Sequence, residues 1–443
     1  MRFARRGDLD GGLVAGQKAA APRLYVLDGL RLLAALMVVF FHYVALRGGW
    51  GQDPEHIFPN LWKFAQYGWT GVEIFFLISG FVICMSTWGR SLGDFVVSRV
   101  SRVYPAYWVA ICLTALIVTL WPQVRQVNGG FDGVLTNFTM LQSGLGVWDV
   151  DGVYWTLFIE LKFYVLFAIV VATGVTYRKC VLFCAVWTVV AVASVQANVK
   201  LLDMWAMPLY QPYFVAGIAF YLMYRYRPTA LLWGIVALSL LLAEHHITRR
   251  VADNTTHNIP AWPARVIVFV AFVLMALIAC GAFNRIQWRW LSTAGALTYP
   301  LYLLHQYIGM TLTYALRDRI PRHLLVIGLV LMMLGAAWLM HRFVERPLSS
   351  WLRKVMRSSM AEVRQHSPRA KGEAHAAKSA AAAPAASAVV PSGVPEQHAG
   401  REQHAGREEV REGAAAQRLR AYETGGYEQP AGDRVVVGQP DRA

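Results

Sequence analysis

Ten apolar stretches, each about 20 residues long, recur along this chain, and their length dictates what it can fold into. They cover about 24–46, 68–88, 102–121, 155–173, 180–199, 206–224, 229–245, 264–282, 290–314 and 324–343. As an α-helix, an apolar run of that length matches the hydrocarbon thickness of a bilayer. Lipid offers the backbone no water, so a spanning segment must satisfy its own N–H and C=O groups, which a helix does. With 56% hydrophobic and 16% charged residues, the chain lies outside soluble-domain composition. The expectation is an all-α, polytopic membrane protein with about ten transmembrane helices.

Lys and Arg near the helix ends set its orientation. The flanks on the N-terminal side carry 19 cationic residues and the opposite flanks 10. Both termini are therefore expected in the cytoplasm, as an even helix number requires. The first run carries Arg31 and is followed by no small-residue cleavage pattern, so it reads as a retained signal-anchor. A net charge of +15 could suggest nucleic acid. From residue 360 onward, however, 11 basic residues balance 11 acidic ones, so the excess lies in the membrane part and follows the positive-inside bias. No nucleic-acid partner is expected.

Three segments follow: a basic cytoplasmic stretch 1–23, a transmembrane domain 24–357, and a low-complexity, disordered tail 358–443. The tail is rich in Ala, Gly, Glu and Gln and repeats Glu396-Gln-His-Ala-Gly-Arg401 at once as 402–407. The longer loops, 47–67, 122–154 and 246–263, fall on the far side. The second holds Trp148-Asp-Val-Asp-Gly152, which reads as turn chemistry ahead of a cation or sugar site. Cys84, Cys112, Cys180, Cys184 and Cys280 show no CxxC spacing and read as packing residues; no metal is expected.

Ionisable residues inside such helices are costly and tend to face a bundle interior. Arg31 and His42 are eleven residues apart, about three turns and 16 Å, so they share a face. That helix either lines something polar or lets Arg31 snorkel to the headgroups. Glu73 precedes Ser79-Gly80 in the second run, Glu160 and Lys162 lie in the fourth, and Tyr302 and His305 in the ninth. By topology His42, Glu73, Glu160 and His305 all belong to the outer half of the bilayer, which suggests one polar cluster; a structural ion-pair network would give the same pattern. Arg99 and Arg102 share a face at the start of the third helix. They suit phosphate recognition, and equally plain positive-inside anchoring.

Together these segments resemble acyltransferase family 3, bacterial membrane enzymes that O-acylate extracytoplasmic glycans. Arg31 to His42 resembles the family's Arg-x10-His helix, and Gly71 to Gly80 its segment ending Phe-Phe-x-x-Ser-Gly. Arg99-x-x-Arg102-x-x-Pro105 resembles its entry to helix three. Asn137-Phe-Thr-Met-Leu-Gln142 and Trp155-Thr-Leu-x-x-Glu160-x-x-Phe-Tyr164 are similar to its middle signatures, Tyr299-x-x-Tyr-Leu-Leu-His305 and Phe343-Val-Glu-Arg-Pro347 to its closing ones. Leu32 and Lys162 depart from the usual residues, Lys162 adding a charge near Glu160. The resemblance implies an O-acyltransferase of the bacterial inner membrane. It would move an acyl group, acetyl first, from cytoplasmic acyl-CoA to a hydroxyl of an extracytoplasmic glycan or glycolipid. On this reading His42 is general base or acyl carrier and Arg31 positions the donor. Glu160 or Glu73 orients the imidazole, Arg99 and Arg102 hold phosphates of acyl-CoA, and Ser79, His305 and Tyr302 complete the polar set. Larger members carry an extracytoplasmic hydrolase-like domain where this chain has only its tail, which implies direct delivery or a separate glycan-modifying protein. A membrane transporter, or a non-catalytic partner in envelope glycan assembly, would use similar residues.

Overall fold

A computed structural model describes residues 24–125, 130–197, 199–255 and 257–366. The basic stretch 1–23 and most of the tail lie outside the described residues. Ten long helices match the ten apolar runs: α1 Tyr25–Phe40, α2 Thr70–Thr87, α3 Leu92–Leu120, α4 Trp155–Ala172, α5 Tyr177–Ala197, α6 Gln211–Arg225, α7 Ala230–Asn254, α8 Trp262–Ala279, α9 Trp290–Leu316 and α10 Arg322–Met340. Among the described residues, eight segments are long and apolar enough to cross a membrane. The two that do not qualify, α6 and α9, are the interior ones. From Gln211 to Met223, α6 is buried without a break; α9 is buried from Pro300 to Thr311 and carries Tyr, Thr, Gln and His there. Outward positions such as Leu33, Ile169, Val189, Leu241 and Leu331 are more than half exposed, as lipid-facing residues must be. Exposed Trp121, Trp262, Trp288 and Trp290 sit at helix ends, where bilayer interfaces favour indole.

Small residues set the helix crossings. A Cβ on Gly80 of α2 would stand 2.2 Å from Phe214 O of α6, and one on Gly217 of α6 would stand 2.2 Å from Leu77 O of α2. The two backbones touch through reciprocal glycines, as small residues allow where lipid supplies no hydrophobic drive. α1 packs between α2 and α9, and α9 also meets α3 and α10. Helix boundaries differ from expectation in two places. The run expected at 206–224 forms helix only from Gln211, and a separate short helix, Lys200–Ala206, closed by Met207 at φ 52°, occupies the stretch before it. The run expected to end at 245 continues to Asn254.

Two helices end in π-turns. Phe41–Ala45 continues α1 and holds His42; His341–Glu345 continues α10 and leads into α11, Arg346–His366. Helix therefore extends nine residues into the stretch 358–443 expected to be disordered. In α11, Leu348, Trp351, Leu352, Val355 and Met356 recur at helical spacing opposite Arg353, Lys354 and Arg357, the pattern of a helix lying along a membrane surface. We call the end of the bundle bearing Arg99, Arg102 and α11 the basic face, and the opposite end the loop face.

Candidate functional site

Five helices, α1, α2, α3, α4 and α9, line a cavity of about 120 Å³ whose largely apolar wall carries a set of charged and polar groups. Arg31 enters it from α1, Ser79 from α2, Arg99 and Arg102 from α3, Glu160 and Tyr164 from α4, and Tyr299 and Tyr302 from α9. Glu160 Oε1 accepts hydrogen bonds from Ser79 Oγ at 2.9 Å and Tyr164 OH at 2.6 Å. Arg99 stacks over the Tyr164 ring at 5.9 Å. Arg31 makes no hydrogen bond or ion pair among the described residues and feels Asp28, Glu160 and Arg102 through space. Its fork is thus unspent, beside a carboxylate already engaged by two hydroxyls. Lys162 does not crowd Glu160: two residues on, it points to the other side of α4, donates to Met204 O at 2.7 Å and lies over the Phe158 ring.

His42 does not line this cavity. About three turns beyond Arg31, at the loop-face end of the same helix, its Nδ1 lies 2.8 Å from Val38 O and 3.2 Å from His305 Nε2. His305 Nδ1 in turn lies 2.8 Å from Tyr302 O and 3.2 Å from Leu301 O. Carbonyl oxygens only accept, so both Nδ1 atoms must carry hydrogen. In the neutral rings His305 Nε2 is then the acceptor for His42, and His42 Nε2 keeps its lone pair. The residue that orients His42 is therefore His305, an assignment made from the hydrogen-bond network. The ring of Tyr302 packs against His305 at 5.6 Å and lines the cavity on its other side, with its OH 2.9 Å from Thr156 Oγ1. The cavity and the imidazole pair thus share one partition.

Glu73 belongs to neither group. Its Oε1 accepts from Arg250 Nε at 2.9 Å, and the Arg250 guanidinium lies within 6 Å of the Trp69, Trp155 and Tyr210 rings. The single cluster expected from His42, Glu73, Glu160 and His305 resolves into three: an imidazole pair, a cavity carboxylate and a caged ion pair. Arg250, which a hydropathy reading places in a flanking loop, had a signal. Leu232, Val236, Ser239, Ala243, Ile247 and Arg250 form the buried stripe of α7, and that 3.6-residue period runs on to Arg250 and past Arg249.

A second missed residue is Asp151, in the loop read as turn chemistry. Asn137 braces that loop by donating to Gly133 O and Trp148 O and accepting from Val150 N; Gln142 donates to Asp149. The buried Asp151 then accepts from the backbone N–H of Val153 and, at 3.1 Å, from that of Tyr307, two residues past His305. Burial pushes its carboxyl up to about 7, against those two N–H donors, and pushes Asp149 up to about 6 against Gln142 and Ser143. Both acids bind protons more tightly folded than unfolded, where carboxyls titrate near pH 4. Their contribution is therefore fullest at acid pH and is lost as pH rises through about 4 to 7. The thermal midpoint of the detergent-solubilised protein should fall from pH 5 to pH 8, and Asp151→Asn should flatten that slope. Parallel slopes for parent and variant would refute the assignment.

Among the described residues, no three His, Cys, Asp or Glu side chains converge to hold a metal ion. Comparison with known proteins adds a family. The model of the acyltransferase domain of acyltransferase family 3 matches residues 24–342. A putative peptidoglycan O-acetyltransferase of Bacillus subtilis, YrhL, is 28% identical over 34% of this chain and 24% of its own. An O-acetyl transferase of Shigella phage Sf6 is 41% identical over 18% of this chain and 22% of its own. Nodulation protein 10 of Rhizobium leguminosarum is 28% identical over 64% of this chain and 83% of its own. The chain thus spans about a quarter of the first two relatives. No solved structure matches it.

Proposed function

We propose that this chain, which belongs to acyltransferase family 3 and has eight membrane-length apolar segments among its described residues, is a multi-pass membrane O-acyltransferase that moves an acyl group, acetyl first, from cytoplasmic acyl-CoA to a hydroxyl of an extracytoplasmic glycan or glycolipid. On this reading it sits in the bacterial inner membrane with its basic face toward the cytoplasm. The observation that carries the proposal is the pairing of an arginine-mouthed cavity with a buried imidazole, nearer the opposite face, whose Nδ1 is engaged and whose Nε2 keeps its lone pair. A relative named for peptidoglycan O-acetylation supports a glycan acceptor.

In this scheme Arg99 and Arg102 hold phosphates of the donor at the cavity mouth, where a guanidinium fork suits them. The thioester carbonyl lies beside Arg31, whose unspent donors stabilise the developing oxyanion. His42 Nε2 takes the acceptor's hydroxyl proton as the oxygen attacks the carbonyl carbon. The C–S bond then breaks, and the proton passes to the departing thiolate. The ring of Tyr302 stands between donor and base and must turn aside for the two to meet, with Thr156 as its resting partner. Glu160 holds the Ser79 and Tyr164 hydroxyls that shape the cavity wall, and Glu73 neutralises Arg250.

Proteoliposomes of the purified protein test the reading. Given acetyl-CoA labelled in the acetyl group, and envelope glycan fragments on the opposite side, they should form a base-labile glycan ester. Uptake of intact glycan or acetate without ester formation would favour a transporter and sink the proposal.

A further inference from the structure

A second cavity, about 700 Å³ and open at the basic face, lies where α10 turns through its π-segment into α11. Four arginines line it: Arg102, Arg342, Arg346 and Arg353. Arg102 also lines the first cavity, so the two adjoin through one side chain. Arg342, Arg346, Ser349 and Arg353 follow one another at four-, three- and four-residue steps, which puts them on one face. The one carboxylate in the wall, Glu345, is already engaged: it lies 2.8 Å from His341 Nδ1 and 3.6 Å from Arg102. It leaves Arg342, Arg346 and Arg353 without an anionic partner among the described residues. Ser349 Oγ, also in the wall, is buried without a hydrogen-bond partner.

Anchoring to a basic-inside surface explains scattered arginines. It does not explain three that converge on a cavity beside an unpartnered hydroxyl, with the local acid tied up elsewhere. Such a site wants a ligand dense in phosphate oxygens, which guanidinium binds in bidentate fashion. A π-turn at its rim fits, because such turns cluster at functional positions.

We propose that Arg342, Arg346, Arg353 and Ser349 form a separate subsite for the phosphorylated ribose–adenine end of acyl-CoA. This inference rests on the acyl-CoA reading above. That reading places the thioester near Arg31, and the adjoining geometry then lets the pantetheine arm pass Arg102 while the nucleotide stays outside. The phosphate of an anionic lipid headgroup offers the same chemistry, so the test must separate the two.

The test compares acetyl-CoA with acetyl-dephospho-CoA, which lacks the ribose phosphate, using parent protein and Arg346→Gln/Arg353→Gln in phosphatidylcholine nanodiscs. The parent should show a KM for acetyl-CoA about tenfold below that for the dephospho donor, as expected for one lost charge-assisted contact. The double variant should raise the acetyl-CoA KM to the dephospho value with kcat unchanged. Equal KM changes for both donors, or none, would overturn the subsite. So would a variant defect that appears only when phosphatidylglycerol is included, which would identify a lipid site. Equilibrium binding of adenosine 3′,5′-bisphosphate, weaker by about tenfold in the variant, reads the subsite without any turnover. If the parent binds that nucleotide yet uses no acyl-CoA, the donor reading fails while the subsite stands.

Discussion

His42→Ala is expected to lower acyl transfer by about 10²- to 10⁴-fold, the range that a lost general base costs, while the protein reaches the membrane at parental level. The reason lies in the network around the ring. His42 Nδ1 is committed to Val38 O and His305 Nε2, so the atom free for chemistry is Nε2, and no other group on α1 can replace it. His305 is a positioning residue in this scheme. Buried and tied through Nδ1 to its own helix, it presents an acceptor that holds His42 in the required tautomer. His305→Leu should therefore reduce kcat with little change in donor KM. His305→Gln, whose Oε1 can stand where Nε2 stood, should recover much of the loss. A purely structural role would not separate Leu from Gln in this way. Glycan ester content in a deletion strain, read with membrane levels matched, checks both variants. Full activity of His42→Ala would end the mechanism, and equal losses for His305→Leu and His305→Gln would end the positioning role.

The imidazole pair also marks how far residue order alone carries. Run length is a one-dimensional signal, so ten helices were legible, and so was the arginine pair at the start of α3. Which polar residues meet was not. His42 and His305 are 263 residues apart, and Glu73 and Arg250 are 177 apart. Topology put His42, Glu73, Glu160 and His305 at similar depth, but depth does not choose among partners in the same layer. The π-turn at Phe41–Ala45 was equally hidden. It begins only at Phe41, so Arg31 and His42 stay eleven residues apart on one helix, and the roughly 16 Å along its axis is what keeps His42 out of the cavity that Arg31 lines. Asp151 was passed over because an Asp two residues from another Asp, beside Gly, has the composition of a turn. Its reach to the backbone of α9 is a tertiary fact.

Arg250→Ala should be the most destabilising single change in the membrane domain, at about 3–5 kcal/mol, because it strands a buried carboxylate. Glu73 is 1% exposed at its side chain, and its Oε2 already lacks a hydrogen-bond partner, so removing Arg250 leaves the whole group uncompensated. The opposite truncation should cost less. In Glu73→Ala the guanidinium keeps the faces of Trp69, Trp155 and Tyr210, which stabilise a cation by about 0.5–2 kcal/mol each at such sites. Removing both charges should cost least: Glu73→Leu/Arg250→Met replaces a desolvated pair with apolar volume, an exchange that is often neutral or stabilising. Thermal midpoints from size-exclusion profiles of heated detergent extracts give the cycle, with an expected order of Arg250→Ala below Glu73→Ala below the double variant. Activity then decides what Glu73 is for. If the pair only braces α2 against α7, the folded double variant keeps acyl transfer. If Glu73 acts on substrate or orients His42, that variant is folded and inactive. A double variant no more stable than Arg250→Ala would mean that the two charges are not coupled, and the caged-pair account would fall.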